Sequence, residues 1–287
     1  MVGFHYDVSN EFYELFLDPE MQYSPGYFAS ETTTLAEAQV AKLDRICRKL
    51  ELSGDDWLLD IGCGWGGLAC HAALRFGCRV HGVSLSKEQL DYAQAKVDRL
   101  GLGNKVTLEL KDFRSLSSAG LYSKIVQVGM FEHVGIDNHD AYFQHVHHLM
   151  REGGLYLHDA ITRRAPRNLK TFRDSTPYMR VINRYIFPGG ELDYVGLTIT
   201  NLERHNFEVR DVESMREHYY LSLKNWSEAL YSHYATAETL VGADRVRLWL
   251  LYLALSAMGF WRGAIYDFQI VARKRSTGLA GLQVGRA

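Results

Sequence analysis

The run Leu59-Asp60-Ile61-Gly62-Cys63-Gly64-Trp65-Gly66-Gly67 constrains this chain more than any other stretch. An apolar segment leads into a carboxylate, and glycines then recur at alternate positions. A strand that ends there must turn sharply into a helix. Gly62, Gly64 and Gly66 let the backbone approach a ligand with no side chain in the way. The helix that follows offers free N–H groups at its start. The pattern predicts an α/β sheet with a nucleotide-like cofactor at the carboxyl end of its first strand.

Gly62, Gly64 and Gly67 also satisfy the dinucleotide spacing G-x-G-x-x-G. That fingerprint requires an acid about 20 residues on to hold a ribose. The next strand, Arg79-Val80-His81-Gly82-Val83-Ser84, carries none. The Asp60 carboxylate would also sit close to a pyrophosphate and repel it. A cationic cofactor would welcome it, so the electrostatics favour S-adenosylmethionine, with its sulfonium and ammonium, over a nicotinamide.

Other bulk features narrow the field. The chain has 287 residues, 47% of them hydrophobic, enough for one α/β domain with insertions. A net charge of −2 gives no support for nucleic-acid binding, and no polybasic stretch favours anionic lipid. The four cysteines, Cys47, Cys63, Cys70 and Cys78, form no C-x-x-C pair. With an N-terminus that lacks a signal pattern, they point to a reduced, cytoplasmic protein. Cys63 reads as a packing residue, since no base flanks it. The uncharged run Leu248–Trp261 is too short to span a bilayer. It reads as a buried helix, with the wall of an apolar substrate channel as the alternative.

Periodicity organises the rest. Residues 1–35 are rich in aromatics (His5, Tyr6, Phe12, Tyr13, Phe16, Tyr23, Tyr27, Phe28) and are expected to form short helices over the cofactor. Ala36, Val40, Leu43, Ile46 and Leu50 predict an amphipathic helix over 36–50. Strands are predicted near 57–61, 79–84, 105–110, 124–129 and 154–160, with helices near 66–76, 87–100 and 138–150 between them. This alternation marks a parallel sheet. Residues 161–195 break the rhythm and read as an insertion near the site. A helix near 195–204, a strand near 206–212, helices from 222 to 263 and a strand near 266–273 follow. Residues 276–287 are expected to be a disordered tail. The whole reads as a single domain, 1–287, with residues 1–50 as an N-terminal helical lid.

The motifs together resemble a known family. His5-Tyr6-Asp7-Val8-Ser9-Asn10-Glu11-Phe12-Tyr13, Tyr23-Ser24, the Gly62–Gly67 loop, Phe131-Glu132-His133-Val134-Gly135 and Tyr185-Ile186-Phe187-Pro188-Gly189-Gly190 look like the cyclopropane fatty acid synthases, which include the mycolic acid cyclopropane synthases. Plant N-methyltransferases of the coclaurine type share much of this framework. The chain is without the extra N-terminal domain of the bacterial phospholipid enzymes and in this is similar to the mycolic acid type. The resemblance implies a class I methyltransferase (Rossmann-like) seven-stranded α/β sheet, the last strand antiparallel, with S-adenosylmethionine where the strand order reverses.

By that resemblance, Tyr23 and Ser24 contact the methionine end of the cofactor, and Gly62 and Gly64 lie beside it, next to the Asp60 carboxylate already assigned to the cofactor on its charge. Ser84, Leu85 and Gln89 take the place of the ribose acid. Asp112 and Phe113 receive the adenine. Without the resemblance, Asp112 reads as a helix cap. Glu132, His158 and Tyr219 match the family's catalytic residues, which gather around a bound bicarbonate that serves as base. A buried structural Glu132–His158 pair is the plainer alternative. His133, His139, His145, His147 and His148 match no zinc pattern, so no metal is expected. His5 suits a cofactor contact and structural packing equally.

One position departs from the family: Pro25 stands where the synthases carry a cysteine after Tyr-Ser, and proline has no backbone N–H to offer an anion. Arg163, Arg164, Arg167, Arg173, Arg180 and Arg184 could meet a substrate phosphate or carboxylate, or simply be solvated. The leading expectation is methyl transfer to an alkene carbon of a lipid or acyl chain, forming a cyclopropane or a methyl branch, with peripheral membrane contact. The alternative is a C- or N-methyltransferase, or a methylation-triggered cyclase, acting on a small hydrophobic metabolite. A cofactor-binding protein without catalysis is a third class.

Overall fold

A computed structural model describes residues 9–168, 172, 180, 183, 184, 186 and 189–277. Within it, β1 (Trp57–Ile61), β2 (Arg79–Ser84), β3 (Val106–Leu110), β4 (Tyr122–Val128), β5 (Met150–Arg163), β6 (Phe207–Ser214) and β7 (Ile265–Lys274) form one sheet in the order β3-β2-β1-β4-β5-β7-β6. β1 pairs in parallel with β2 and β4, and β7 runs antiparallel to both β5 and β6. The order reverses between β1 and β4, as expected for a doubly wound sheet.

The helices are α1 (Asn10–Glu14), α2 (Leu35–Lys49), α3 (Gly67–Arg75), α4 (Lys87–Arg99), α5 (His139–Leu149), α6 (Val195–Arg204), α7 (Arg216–Ser232), α8 (Tyr234–Val241) and α9 (Ala243–Trp261). Successive strand residues serve opposite faces of the sheet. Leu58, Val80, Val126 and Leu157 pack with Leu43 and Ile46 of α2 and Ala69 and Ala72 of α3. Leu59, Ile125, Tyr156 and Ile270 pack with Phe143 and Val146 of α5 and Leu202 of α6. A third core joins Phe12, Tyr13 and Phe16 to Trp226 on α7 and Trp249 and Phe260 on α9.

Several expectations shift. Of residues 9–34, the structure makes helix at Asn10–Glu14, and the chain then runs in turns to the capping box of Thr34 and Glu37. The buried face of α2 is rotated from the apolar stripe. Ala36 is exposed and Val40 is 41% exposed, while Gln39 and Lys42 are buried. Polar partners in the preceding segment account for that rotation. β5 continues to Arg163, so the strand takes in the first residues of the expected insertion. Residues 5–8, Tyr185, Phe187, Pro188, Arg173 and the tail from 278 lie outside the described residues.

Candidate active site

The turn after β1 is held by two backbone bonds, Gly62 N–H and Cys63 N–H to Val83 O at 2.9 and 3.1 Å. Its glycines serve different ends. Gly64 has φ +53°, and a Cβ there would meet no atom of the described residues within 4 Å. Gly66, at φ +76°, faces α4, where a Cβ would come within 2.9 Å of Ala93 Cβ. A Cβ on Gly67 would come within 2.1 Å of Gln22 Nε2. Gly64 therefore gives backbone access to the cavity, and Gly66 and Gly67 allow close packing.

That cavity measures about 590 Å³ and lies at the carboxyl ends of β1, β2 and β4. All ten residues expected to hold the cofactor line it: Tyr23, Ser24, Asp60, Gly62, Gly64, Ser84, Leu85, Gln89, Asp112 and Phe113. Asp60 is 3% exposed, and its Oδ2 has no hydrogen-bond partner among the described residues. Burial raises its carboxyl to about 7, and the Lys42 ammonium partly offsets this. Ser84 Oγ lies 3.4 Å from Gln89 Oε1 at the β2 end. Asp112 both lines the cavity and caps the turn at Phe113–Ser115, accepting from Arg114 N at 3.0 Å. The Arg114 guanidinium also pairs with this carboxylate and lowers its pKa.

Glu132, His158 and Tyr219 lie outside that lining, although Met130 and His133 beside Glu132 belong to it. Glu132 Oε1 accepts from Ile161 N at 2.7 Å, and Oε2 is buried without a partner among the described residues. Desolvation raises Glu132 to about 7. His158 Nδ1 lies 2.9 Å from Tyr156 OH and 3.1 Å from Gln127 Nε2, and its ring packs against Phe131 at 4.5 Å. Burial lowers it to about 3, so the imidazole stays neutral at pH 7. Tyr219 stacks on Phe260 with centroids 4.3 Å apart. Burial raises its phenol, and Asp267, Glu132 and Asp159 add negative charge nearby. No hydrogen bond links Glu132, His158 and Tyr219 to one another among the described residues, so the paired Glu132–His158 arrangement is not what the fold builds.

Sequence reasoning missed three buried charged residues here: Lys42, Asp159 and Asp267. Each was visible as a charge inside a helix face or strand otherwise given to the core. Asp159 accepts from Gln269 Nε2 at 2.9 Å, and desolvation raises it to about 6. Asp267 is fully buried, and its two carboxylate oxygens have no hydrogen-bond partner among the described residues. The four cysteines are buried, and burial raises their thiols, which fits packing rather than nucleophilic roles. In the 161–195 segment, the Arg163 guanidinium lies 3.9 Å over the Phe172 ring, while Arg164, Arg167, Arg180 and Arg184 are exposed.

A model of the mycolic acid cyclopropane synthetase family matches residues 1–270. The chain belongs to this family. It is 44% identical over 273 residues to a probable fatty acid methyltransferase of Pseudomonas putida, covering 95% of this chain and 68% of that protein. The cyclopropane synthase MmaA2 of Mycobacterium tuberculosis superimposes with a TM-score of 0.88 at 31% identity, covering 95% of this chain and 97% of the other. The mycolic acid cyclopropane synthase CmaA1, in a structure complexed with SAH and CTAB, gives a TM-score of 0.87 at 32% identity, covering 94% and 96%. The resemblance to cyclopropane synthases and the class I methyltransferase fold are thus both borne out: the family is one of S-adenosylmethionine-dependent methyltransferases. No helix of the described residues is long and apolar enough to cross a membrane.

Proposed function

We propose that this chain methylates an alkene carbon of a lipid-borne acyl chain, giving a cyclopropane or a methyl branch, with S-adenosylmethionine as donor. The observation that carries the cofactor is Asp60: a buried carboxylate oxygen without a hydrogen-bond partner among the described residues, at the wall of a cavity with open backbone at Gly64. Bound there, S-adenosylmethionine supplies an electrophilic methyl group. Asp60 holds the cofactor's ammonium, with Tyr23 and Ser24 at the methionine end. The side chains of Ser84 and Gln89 take the ribose hydroxyls, and Leu85 covers them. Asp112 accepts from the adenine amino group, and Phe113 packs on the ring. The acyl substrate is supported by the names of the relatives and by the CTAB, a long-chain alkylammonium, in the CmaA1 structure.

Glu132, His158 and Tyr219 are the proposed catalytic groups. With its carboxyl raised to about 7, Glu132 can hold or release a proton near neutrality, and Oε2 is free to do so. A neutral His158 and the Tyr219 phenol orient neighbours without adding charge. Bicarbonate fits these surroundings poorly. Pro25 has no N–H, the Gly26 N–H donates to Ser222 Oγ at 3.0 Å, and the Ile161 N–H is taken by Glu132. Asp159 and Asp193 lie near enough to Glu132 to raise its carboxyl further by their charge.

Lipid mass spectrometry tests the reading. Cells expressing the chain should accumulate acyl chains heavier by one CH2, and cells expressing Glu132→Gln should not. Unchanged lipids alongside methylation of a soluble metabolite would replace this reading with the small-molecule alternative.

A further inference from the structure

The buried polar face of α2 is not used by the chemistry above. Lys42 sits at its centre, 1% exposed. Its Nζ donates to Gln22 Oε1 at 2.5 Å and to Ser24 Oγ at 2.9 Å. One turn earlier, Gln39 Nε2 donates to the Ser24 carbonyl at 2.8 Å. Gln22 and Ser24 both line the cavity. The same segment is pinned from its other side, where Asp18 accepts from the Glu20 and Gln22 amides at 2.8 and 2.9 Å. It lies so close to the start of α3 that only glycine fits at position 67.

Lys42 also faces the sheet. Burial lowers its ammonium to about 8, and the charges of carboxylates on four elements partly offset this: Asp18 from the turn after α1, Asp159 from β5, Asp60 from β1 and Asp267 from β7. In the strands, Asp159 lies two residues from Ile161, the register partner of Asp267, so these two share a face of the sheet. A buried ammonium needs hydrogen-bond partners and opposite charge nearby: Lys42 has the first in Gln22 and Ser24, and the second in these carboxylates, none of which forms an ion pair with it among the described residues.

We propose that Lys42 is a positioning residue of the cofactor site: it fixes the Gln22–Ser24 wall, and its buried charge favours the ionised form of Asp60 that receives the ligand's ammonium. This rests on the cofactor reading above. The sign of the effect follows from linkage. Unliganded Asp60 sits near 7, and a cationic ligand binds its ionised form. Below pH 7 the ligand must displace a proton, and affinity falls; above it, affinity levels off up to about pH 8, where the Lys42 ammonium itself begins to titrate. Removing the Lys42 charge leaves Asp60 buried without its offset, so the pH at which affinity levels off moves up.

The test is calorimetric binding of S-adenosylhomocysteine to the full chain between pH 5.5 and 9 (roughly the span over which a carboxyl raised to near neutrality titrates). Four proteins are compared: wild type, Lys42→Met, Lys42→Gln and Lys42→Arg. Lys42→Gln keeps polar contact with Ser24 and removes only the charge, so it serves where Lys42→Met does not fold. The neutral variants should bind about fivefold more weakly at pH 7, level off about one pH unit higher, and recover affinity at alkaline pH. Lys42→Arg should level off near the wild-type pH. A loss that is equal at every pH would mean a purely structural role and would overturn the proposal. If the wild type bound no S-adenosylhomocysteine, the cofactor reading itself would fail. Wild-type binding with an unmoved midpoint in the neutral variants sinks this inference alone.

Discussion

Gly64 and Gly66 are two residues apart and share a left-handed backbone, yet one opens onto the cavity and the other onto Ala93. Gly64→Ala should therefore fold, with a strain of about 1 kcal/mol, and weaken S-adenosylhomocysteine binding at least about tenfold. Gly101, at φ +66° with no described atom within 4 Å of a Cβ, is a control that carries similar strain outside the cavity lining. Gly101→Ala should leave calorimetric affinity unchanged, and equal losses in both variants would place the ligand elsewhere. Asp60 gives a second measurement. Its carboxyl is raised to about 7, so ligand binding at pH 6 should release close to one proton, seen as a buffer-dependent enthalpy. Asp60→Asn should remove that dependence. Sequence reasoning could name Asp60 and the glycine loop because a carboxylate beside glycines at a strand end has few structural uses. It could not separate Gly64 from Gly66, since their roles depend on what α4 brings to the loop.

At the scale of elements, strand and helix positions were legible because buried parallel strands and amphipathic helices have distinct apolar periods. The face of α2 was not. A count of apolar residues put Ala36 and Val40 inward, but Gln39 and Lys42 are buried because the 22–24 segment supplies their hydrogen bonds. Long-range polar pairing leaves no mark on local periodicity. The proposed catalytic trio could be named from the sequence, but its arrangement could not, because β5 and the turn after β4 give Glu132 and His158 separate partners. Two consequences can be measured. Glu132→Gln and His158→Ala should each lower turnover by about tenfold or more and leave cofactor affinity largely intact, with losses that multiply, as expected of groups that share no hydrogen bond. Losses in the double variant no greater than in one single variant would show that they act as a unit. The segment between α2 and α7 gives the other. Pro25 offers no N–H and the Gly26 N–H is occupied by Ser222, so wild-type turnover should change little in bicarbonate-depleted buffer. Strong dependence on bicarbonate in the wild type would return the chain to the family's base.

At the scale of the molecule, α9 is apolar on two sides. Its inner side, Trp249, Tyr252, Leu253 and Phe260, is buried, and Tyr252 OH lies 3.3 Å from the OH of Tyr23 at the cavity wall. No residue of 248–261 lines the described cavity, and the helix meets it through the Tyr252–Tyr23 contact. Its outer side carries Leu251, Ala254, Met258 and Trp261, spaced along one stripe, with Leu251 52%, Met258 42% and Trp261 61% exposed. Arg245, Arg247 and Arg262 are exposed around that stripe, and the exposed Asp244, on the same side of the helix, pairs with Arg247 at 3.7 Å. On the proposed acyl-chain reading, a substrate drawn from a bilayer calls for a surface that rests on lipid, and an apolar stripe with arginines at its border suits a membrane interface. Each half-exposed side chain is worth about 1 kcal/mol on transfer, so the three together contribute on the order of 3 kcal/mol, about a hundredfold in partitioning. The triple change Leu251→Ser, Met258→Ser and Trp261→Ser should abolish co-flotation with phosphatidylglycerol vesicles and leave S-adenosylhomocysteine affinity unchanged. If the variant still floats with vesicles, lipid contact lies elsewhere. If instead light scattering shows that it loses mass relative to the wild type, the stripe is a contact between copies of the chain.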